Sequence, residues 1–511
     1  MARSRRGCWQ LSILVFLVQF GIFLAISRLR LVDGDEGFYL LASRLVTEGK
    51  LPYHDFLLTQ MPLLPYVYGW WMRVAGMTWI SGRLLSAILA ATLGTALFRE
   101  VCEQTGKWVA GLLAILLYVS STHVFAWYPI VKTYALSTLL LFLAYRTVVR
   151  GFAASAIAWF AAGLLLAASA DVRLYFAGLL PVFLWWIYDS TKTGARAAAF
   201  LCFLGGLSLA TVPSLCLLAR DPRNFFFDNL GLHAIRSDHG LIGDLGGKAM
   251  TAVRLVLAGG DGNGWQMALL FFAIVVLAVR PGIVTGAARL ALTLGLALTL
   301  ICLLPTPSWI QYFCVTIPFF IVFVVCTMSQ RLDIARDGRE KRNLLVGCAI
   351  ILVAFVASSI PAYRRFLVTG DQVSGIRGRE MASNWRMAAI GRVSQAIDER
   401  IRPGERVLSL WPGYIFQSTA QPYSGLENNS GTSLAGRLSR AQQARYHMLP
   451  PSAFLADIAA REPRLVVLGN HEYADVVTEP FEKALVSSGY KVEWRLGDTT
   501  LWMIAPAGPH R

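Results

Sequence analysis

The chain has 511 residues, of which 55% are hydrophobic and only 15% charged, well below the roughly 25% charge of soluble domains. A soluble fold of this composition, with a mean hydropathy of +0.52, would leave too much apolar surface against water, so the chain is read as membrane-embedded. The formal net charge of +16 sits mostly in short segments between apolar runs, which marks cytoplasmic loops rather than a nucleic-acid surface.

Arg3, Arg5 and Arg6 precede an apolar run from Leu11 to Ile26. No small-x-small cleavage site follows it and many further spans do, so the run reads as an uncleaved first helix. Further runs begin around Ile80, Trp108, Phe125, Ala153, Leu174, Ala197, Trp265, Ala287, Tyr312 and Asn343, which predicts about eleven transmembrane helices of about 20 residues each. With the N-terminus inside, the cytoplasmic segments hold Arg99/Lys107, Arg146/Arg150, Lys192/Arg196, Arg280/Arg289 and the cluster Arg331, Arg336, Arg339, Lys341, Arg342. Every predicted inside loop is basic and short, as the positive-inside rule requires. The opposite segments, at about 28–79 and 220–264, are longer and of mixed charge.

The cysteines (Cys8, Cys102, Cys202, Cys216, Cys302, Cys314, Cys326, Cys348) lie almost all in or beside apolar spans, with no C-x-x-C spacing. They read as small buried hydrophobes, not as a disulfide framework or a zinc site.

After Pro361 the pattern changes. Val407–Leu410 and Leu465–Leu468 read as short buried strands, and Lys491–Trp494 with Thr500–Ile504 as a closing hairpin. Met387–Ile401 and Pro480–Ser488 have helical spacing. The chain therefore divides into a membrane domain, 1–361, and a small extracytoplasmic α/β domain, 362–511.

The first long loop opens on Asp33, Asp35 and Glu36. Three acids at a helix exit suit the solvated first turn of the next helix. The apolar neighbours Phe38, Tyr39, Leu40 and Leu41 instead provide a floor against which one carboxylate is partly buried, which raises its pKa and suits a general base. Both readings stand on the loop alone. The stretch Asp35-Glu36-Gly37-x-Tyr39, then Glu48-Gly49-Lys50-Leu51-Pro52-Tyr53-x-Asp55-Phe56, Pro62-Leu63-x-x-Tyr66 and Gly82-Arg83-Leu84-Leu85-Ser86 resembles the GT-C membrane glycosyltransferases. The likeness is nearest the branch of protein O-mannosyltransferases and the lipid A aminoarabinose transferase, and the rest of the chain matches mainly in layout.

The resemblance implies a polyprenyl-phosphate sugar donor, a glycan, lipid or protein acceptor, and Asp35 as catalytic base with Glu36 supporting it. It implies an inverting hexosyl- or pentosyltransferase in the plasma (inner) membrane, acting on the non-cytoplasmic face. Many relatives carry Lys-Pro-Pro where this chain has Gln60-Met61-Pro62, so another cation must face the donor phosphate. Candidates are Arg83, Lys132, Arg173 and Arg236, of which Arg173 also suits a plain pair with Asp171 and Lys132 a snorkelling position.

In the second long loop Phe225, Phe226, Phe227 and Leu230 suggest an interfacial helix. Asn229, His233 and Arg236 then share one helical face, placed to meet a phosphate or a sugar. Tyr39, His54, Asp55, Gln60, Asn229, Gln311 and Tyr312 complete the candidate pocket, Gln311 and Tyr312 by the position of similar segments in relatives. No metal-ligand spacing is clear, though Asp35, Glu36 and His54 are suited to a divalent cation. No cofactor is assigned. A transporter or flippase would show pseudo-repeats and broken central helices, which are not found. A non-catalytic scaffold remains the other alternative. In the C-terminal domain, Trp411-Pro412-Gly413-Tyr414 and Tyr423 to Asn428 read either as a sugar-stacking surface or as turns beside a small core.

Overall fold

The computed structural model describes the chain except residues 1, 150–154, 238, 240–242, 258–264, 280–283, 336, 371–372, 374–375, 377–378, 470–478 and 505–511. Arg150, Arg280 and Arg336 of the expected basic loops lie outside the described residues. The membrane part is built from α1 (Ala2–Leu29), α2 (Gly34–Thr47), α3 (Leu63–Ala75), α4 (Trp79–Thr105), α5 (Trp108–Ser120), α6 (Thr122–Trp127), α7 (Thr133–Val149) and α8 (Ala156–Ala170). It continues through α9 (Leu180–Ser190), α10 (Arg196–Arg220), α11 (Pro222–Phe226), α12 (Leu232–Ile235), α13 (Leu245–Leu257), α14 (Gln266–Ala278), α15 (Gly286–Leu303), α16 (Ile317–Ile334) and α17 (Gly338–Ala357).

Among the described residues six helical stretches are long and apolar enough to cross a membrane, at Gln10–Leu29, Trp79–Thr105, Thr193–Arg220, Gly286–Leu303, Ile310–Ile334 and Gly338–Thr369. Five shorter apolar helices stand among them, at Trp108–Ser120, Thr133–Val149, Ala156–Ala170, Leu174–Ser190 and Gln266–Ala278. The chain is thus a multi-pass membrane protein. The expected run from Phe125 does not start a long helix. Helix α6 stops at Trp127, and α7 resumes at Thr133 after an irregular stretch. That break matters, because it carries Lys132.

Apolar spans gain no hydrophobic drive toward one another in lipid, so close backbone approach holds them together. Helix α8 packs along α10 and α1 along α4. At the α8–α10 crossing a Cβ on Gly163 would fall on the Phe203 carbonyl, and one on Gly206 on the Phe160 carbonyl. Only glycine fits there.

The C-terminal domain carries a five-stranded sheet of order β2-β1-β3-β5-β4, with β1 (Arg406–Ser409), β2 (Gln421–Pro422), β3 (Leu465–Leu468), β4 (Tyr490–Leu496) and β5 (Thr499–Ile504). Strand β1 runs parallel to β2 and β3, while β5 is antiparallel to β3 and β4, pairing Val466 with Trp502. Strand β3 is buried along its whole length, which explains its unbroken Leu-Val-Val-Leu sequence. Both expected strands, the hairpin and the two expected helices form, at Met387–Asp398 and Glu479–Ser487. The two-residue β2 has no periodicity to read.

Replacing Gly206 by leucine is expected to lower the detergent melting temperature by several degrees, as overpacking of about 1–3 kcal/mol requires. Gly205→Leu, where a Cβ meets only the Phe160 ring at 3.7 Å, is expected to melt close to the unaltered protein in the same assay.

Candidate functional site

Helix α2 begins with a capping box. The Asp33 carboxylate accepts from the Asp35 amide (3.1 Å), and Glu36 Oε1 accepts from the Asp33 amide (2.9 Å). Two backbone donors that a helix start leaves unpaired are thereby satisfied. The same geometry fixes the three acids in different directions.

Glu36 points inward and is fully buried. Arg83 of α4 meets it with Nη2 at 2.5 Å and Nε at 2.8 Å, and the Val131 amide donates to Oε2 at 3.1 Å. The remaining Arg83 donors reach the carbonyls of Ser27 (2.6 Å), Arg30 (2.7 Å) and Leu31 (3.3 Å) at the end of α1. A guanidinium suits this place, since it satisfies orphan carbonyls and complements the negative end of the α1 dipole. Arg83, expected as a phosphate contact, is thus enclosed and fully engaged. Glu36 joins α1, α4 and the first turn of α2.

Asp33 and Asp35 share Lys132. Its Nζ lies 2.7 Å from Asp33 Oδ1 and 2.8 Å from Asp35 Oδ2, and it donates to Gln311 Oε1 at 3.3 Å. An ammonium has three N–H donors, and these partners use all three. The Trp127 ring centroid is 4.9 Å away, a cation–π distance. Burial alone would lower Lys132, but Asp33 and Asp35 raise it above the ordinary lysine value. Burial would raise Asp33, yet Lys132 and Arg30 outweigh it and hold Asp33 below its usual range. Asp35 goes the other way, raised by its partly buried position and by Asp33 against the pull of Lys132 and Arg236. Its side chain keeps 24% of its surface accessible, against 3% for Asp33. The two neighbouring carboxylates are therefore shifted in opposite directions, and the raised one is the more accessible.

Arg173 lies between α8 and α9, buried among the rings of Tyr134 (4.4 Å), Tyr175 (4.5 Å) and Tyr312 (5.2 Å). Nη1 donates to Thr133 Oγ1 at 2.8 Å, and its buried Nε finds no protein partner among the described residues. The expected Asp171–Arg173 pair does not form. Asp171 instead accepts the Ser214 hydroxyl of α10, and burial lifts it to about 6. Arg236 is exposed just after α12 and lies near enough for its charge to act on Asp35. Tyr39 is buried on α2, with Asp35, Lys132 and Arg173 acting on it. Around this centre five cations (Arg30, Arg83, Lys132, Arg173, Arg236) face three carboxylates (Asp33, Asp35, Glu36). Arg83 and Lys132 are paired, which leaves the buried Arg30 and Arg173 and the exposed Arg236 without a carboxylate partner among the described residues.

The structure separates other expected pocket residues from this centre. His54 and Asp55 pair with each other at 2.9 Å in a largely accessible turn, where His447 donates to the His54 carbonyl. Gln60 is half-buried, and its carbonyl accepts the Tyr53 hydroxyl at 2.8 Å. Asn229, His233 and Arg236 do not act as one helical face, because a π-helical turn at Phe227–Gly231 interrupts the run and Arg236 lies past the end of α12. The Asn229 amide donates to the Phe225 carbonyl (3.0 Å), and a His233 ring N–H to the Thr59 carbonyl (3.2 Å). Burial and Arg236 push His233 down to about 4, so it is neutral near pH 7. The expected interfacial helix is likewise divided. Phe226 and Leu230 are exposed, but Phe225 packs on Tyr53 and Phe227 stacks on Tyr446 at 3.6 Å.

Among the described residues no three His, Cys, Asp or Glu side chains gather as a metal site. Sequence reasoning did not single out Asp33 as a site residue, although Asp33 to Glu36 has capping-box spacing. It also passed over Tyr134 and Tyr175, whose aromatic character in apolar runs signals nothing.

No family model matches the sequence, and no curated protein matches it. Solved structures do resemble the fold. The crystal structure of ArnT from Cupriavidus metallidurans bound to undecaprenyl phosphate superposes with a TM-score of 0.65 at 12% identity, covering 99% of this chain and 99% of that one. The apo form of ArnT from the same organism gives 0.65 at 11% identity, over 98% and 100% of the two chains. The overall architecture is therefore the one that the first-loop motifs led us to expect.

Glu36→Ala leaves a buried guanidinium without its counter-charge and is expected to destabilise the protein by about 3–5 kcal/mol, read as early thermal unfolding in detergent. The double variant Glu36→Met/Arg83→Met is expected to recover a substantial part of that loss.

Proposed function

We propose that this chain is a GT-C-type glycosyltransferase. It moves a sugar from a polyprenyl phosphate to a hydroxyl of a glycan, lipid or protein acceptor on the non-cytoplasmic face of the plasma membrane. The observation that carries the reading is the accessible Asp35 carboxylate, raised above its ordinary value, opposite cations that have no carboxylate of their own. Such a site suits one anionic substrate group and one proton to be removed. The likeness to an ArnT structure bound to undecaprenyl phosphate supports a polyprenyl phosphate as that anion. The short basic segments support placing the first loop and the C-terminal domain on the other side.

In this reading Asp35 accepts the proton of the acceptor hydroxyl as its oxygen attacks the anomeric carbon. The bond from that carbon to the phosphate oxygen breaks, its electron pair leaves with polyprenyl phosphate, and opposite-face attack inverts the centre. The phosphate is anionic in the bound donor and gains charge as it leaves, so fixed cations near it hold the donor as well as the leaving group. Arg173 is suited to this role because its Nε is unpartnered and its rings limit its movement. Arg236 adds charge from the accessible side. Lys132 keeps its bond to Asp33 while Asp35 is protonated, so the base returns to a fixed position. The chemistry as drawn uses only the chain's own charges.

Incubation of the purified protein with a panel of polyprenyl-phosphate sugars should consume one of them and release polyprenyl phosphate. Asp35→Asn is expected to reduce that release by about 10²–10⁴-fold, as loss of a general base does. A base works ionised, so activity should fall as pH drops through the Asp35 pKa, with the acid limb above the ordinary aspartate range. Arg173→Met should raise the donor KM by about tenfold or more, the worth of one charge-assisted hydrogen bond. Full activity of Asp35→Asn would refute the assignment.

A further inference from the structure

The helix that carries Asp35 is gripped from behind by the C-terminal domain. Gly37 and Arg44 are seven residues apart on α2 and so share one face. Asp35 and Tyr39 lie on the other, roughly 160° around a helix of 3.6 residues per turn. A Cβ on Gly37 would stand 2.8 Å from the Gly413 nitrogen and 3.0 Å from Trp411 Cε2, so the α2 backbone rests directly on that loop. The buried Trp411 donates from Nε1 to the Gly34 carbonyl at 2.9 Å, one residue before Asp35. Arg44, almost fully buried, donates to the carbonyls of Ile415 (2.9 Å), Ser418 (2.7 Å) and Ala420 (2.7 Å).

The grip is itself rigid. Trp411 packs against Trp79 at 5.9 Å, Trp385 at 5.4 Å and Tyr414 at 4.9 Å. The Ser409 hydroxyl at the end of β1 donates to the Trp411 carbonyl (2.8 Å), and the Tyr414 hydroxyl bonds Thr499 of β5 at 2.9 Å. The chain entering α2 is held as well, with the Val32 amide on the Trp385 carbonyl at 2.6 Å. A turn beside a small core would need none of these bonds to α2. Nor is Trp411 a sugar-stacking surface, because it is enclosed.

We infer that the C-terminal domain sets the position of Asp35, with Trp411 and Arg44 as positioning residues that act through the first turns of α2. This rests on the glycosyltransferase reading and deepens it. Arg173 and Arg236 lie on other elements, so the domain's hold on α2 bears on the base and not on the donor phosphate. A displacement on the order of 1 Å at the base costs about 10²-fold in rate. Loss of the grip therefore acts on kcat.

Two variants of the full chain test this. Trp411→Phe keeps a ring but removes the bond to Gly34. Gly37→Ala favours the helix yet wedges a methyl against Gly413. Both are expected to lower kcat by about 10- to 100-fold and to leave the donor KM and the affinity for polyprenyl phosphate within about twofold of the unaltered protein. Burial is the largest cause of the raised Asp35 value, so the acid limb should shift to lower pH as α2 loosens. Unchanged kcat and acid limb in both variants, with Asp35→Asn inactive, would overturn the positioning role. So would parallel loss of kcat and polyprenyl-phosphate binding in both, which is the signature of general damage. Retained activity in Asp35→Asn would instead refute the underlying reading, a separate result.

Discussion

Everything at the head of α2 depends on one ammonium group with no donor to spare. Lys132 Nζ is shared by Asp33, Asp35 and Gln311, which brings the first loop, the α6–α7 break and the segment before α16 to one point. A buried ammonium held by a single carboxylate would be an ordinary structural pair. Held by two carboxylates of unequal accessibility, it outweighs burial at Asp33 with the help of Arg30, but is outweighed by burial and Asp33 at Asp35. The break that interrupts the expected fourth span puts it there, since a continuous helix from Phe125 would place Lys132 on a regular helical surface.

Around that point the charges divide between bracing and reaction. Glu36 and Arg83 tie α2 to the end of α1 and are closed to substrate. Arg30, Arg173 and Arg236 remain as positive charge without carboxylate partners among the described residues. The second long loop and the C-terminal domain close over the first loop through further polar bonds. The Asn224 side-chain amide, for example, donates to the carbonyls of both Tyr53 (2.9 Å) and Arg445 (3.0 Å).

Much of the architecture was legible because membrane spans announce themselves in single stretches of sequence. The apolar helices, the basic short segments and the short apolar runs of β3 and β5 are all local signals. Asp35 stood out through the first-loop motifs, since the loop's spacing and apolar floor alone suited a helix cap as well. Its partner was legible only as one of several cations, since nothing near Lys132 refers to the first loop. Arg83 was misjudged because its neighbours belong to a recognisable motif, whereas its job is set by where the last carbonyls of α1 end. The three residues Asn229, His233 and Arg236 were misjudged because an even helical period was assumed across a π turn. Trp411 could not be told from a surface aromatic, because what encloses it comes from α2, α4 and the segment before the sheet. Pairings between distant elements have no periodicity, so the contacts that set the burial and charge around Asp35 emerge only in three dimensions.

The central claim is that an anionic lipid headgroup sits between Asp35 and the cations that lack carboxylates. A structure of the Asp35→Asn protein with a bound polyprenyl phosphate, solved in a lipid nanodisc, tests it most directly. The account predicts the phosphate within hydrogen-bonding distance of Arg173, with its free oxygens turned toward position 35. A phosphate bound elsewhere, with Arg173 still enclosed by its tyrosines and filled only by water, would contradict it.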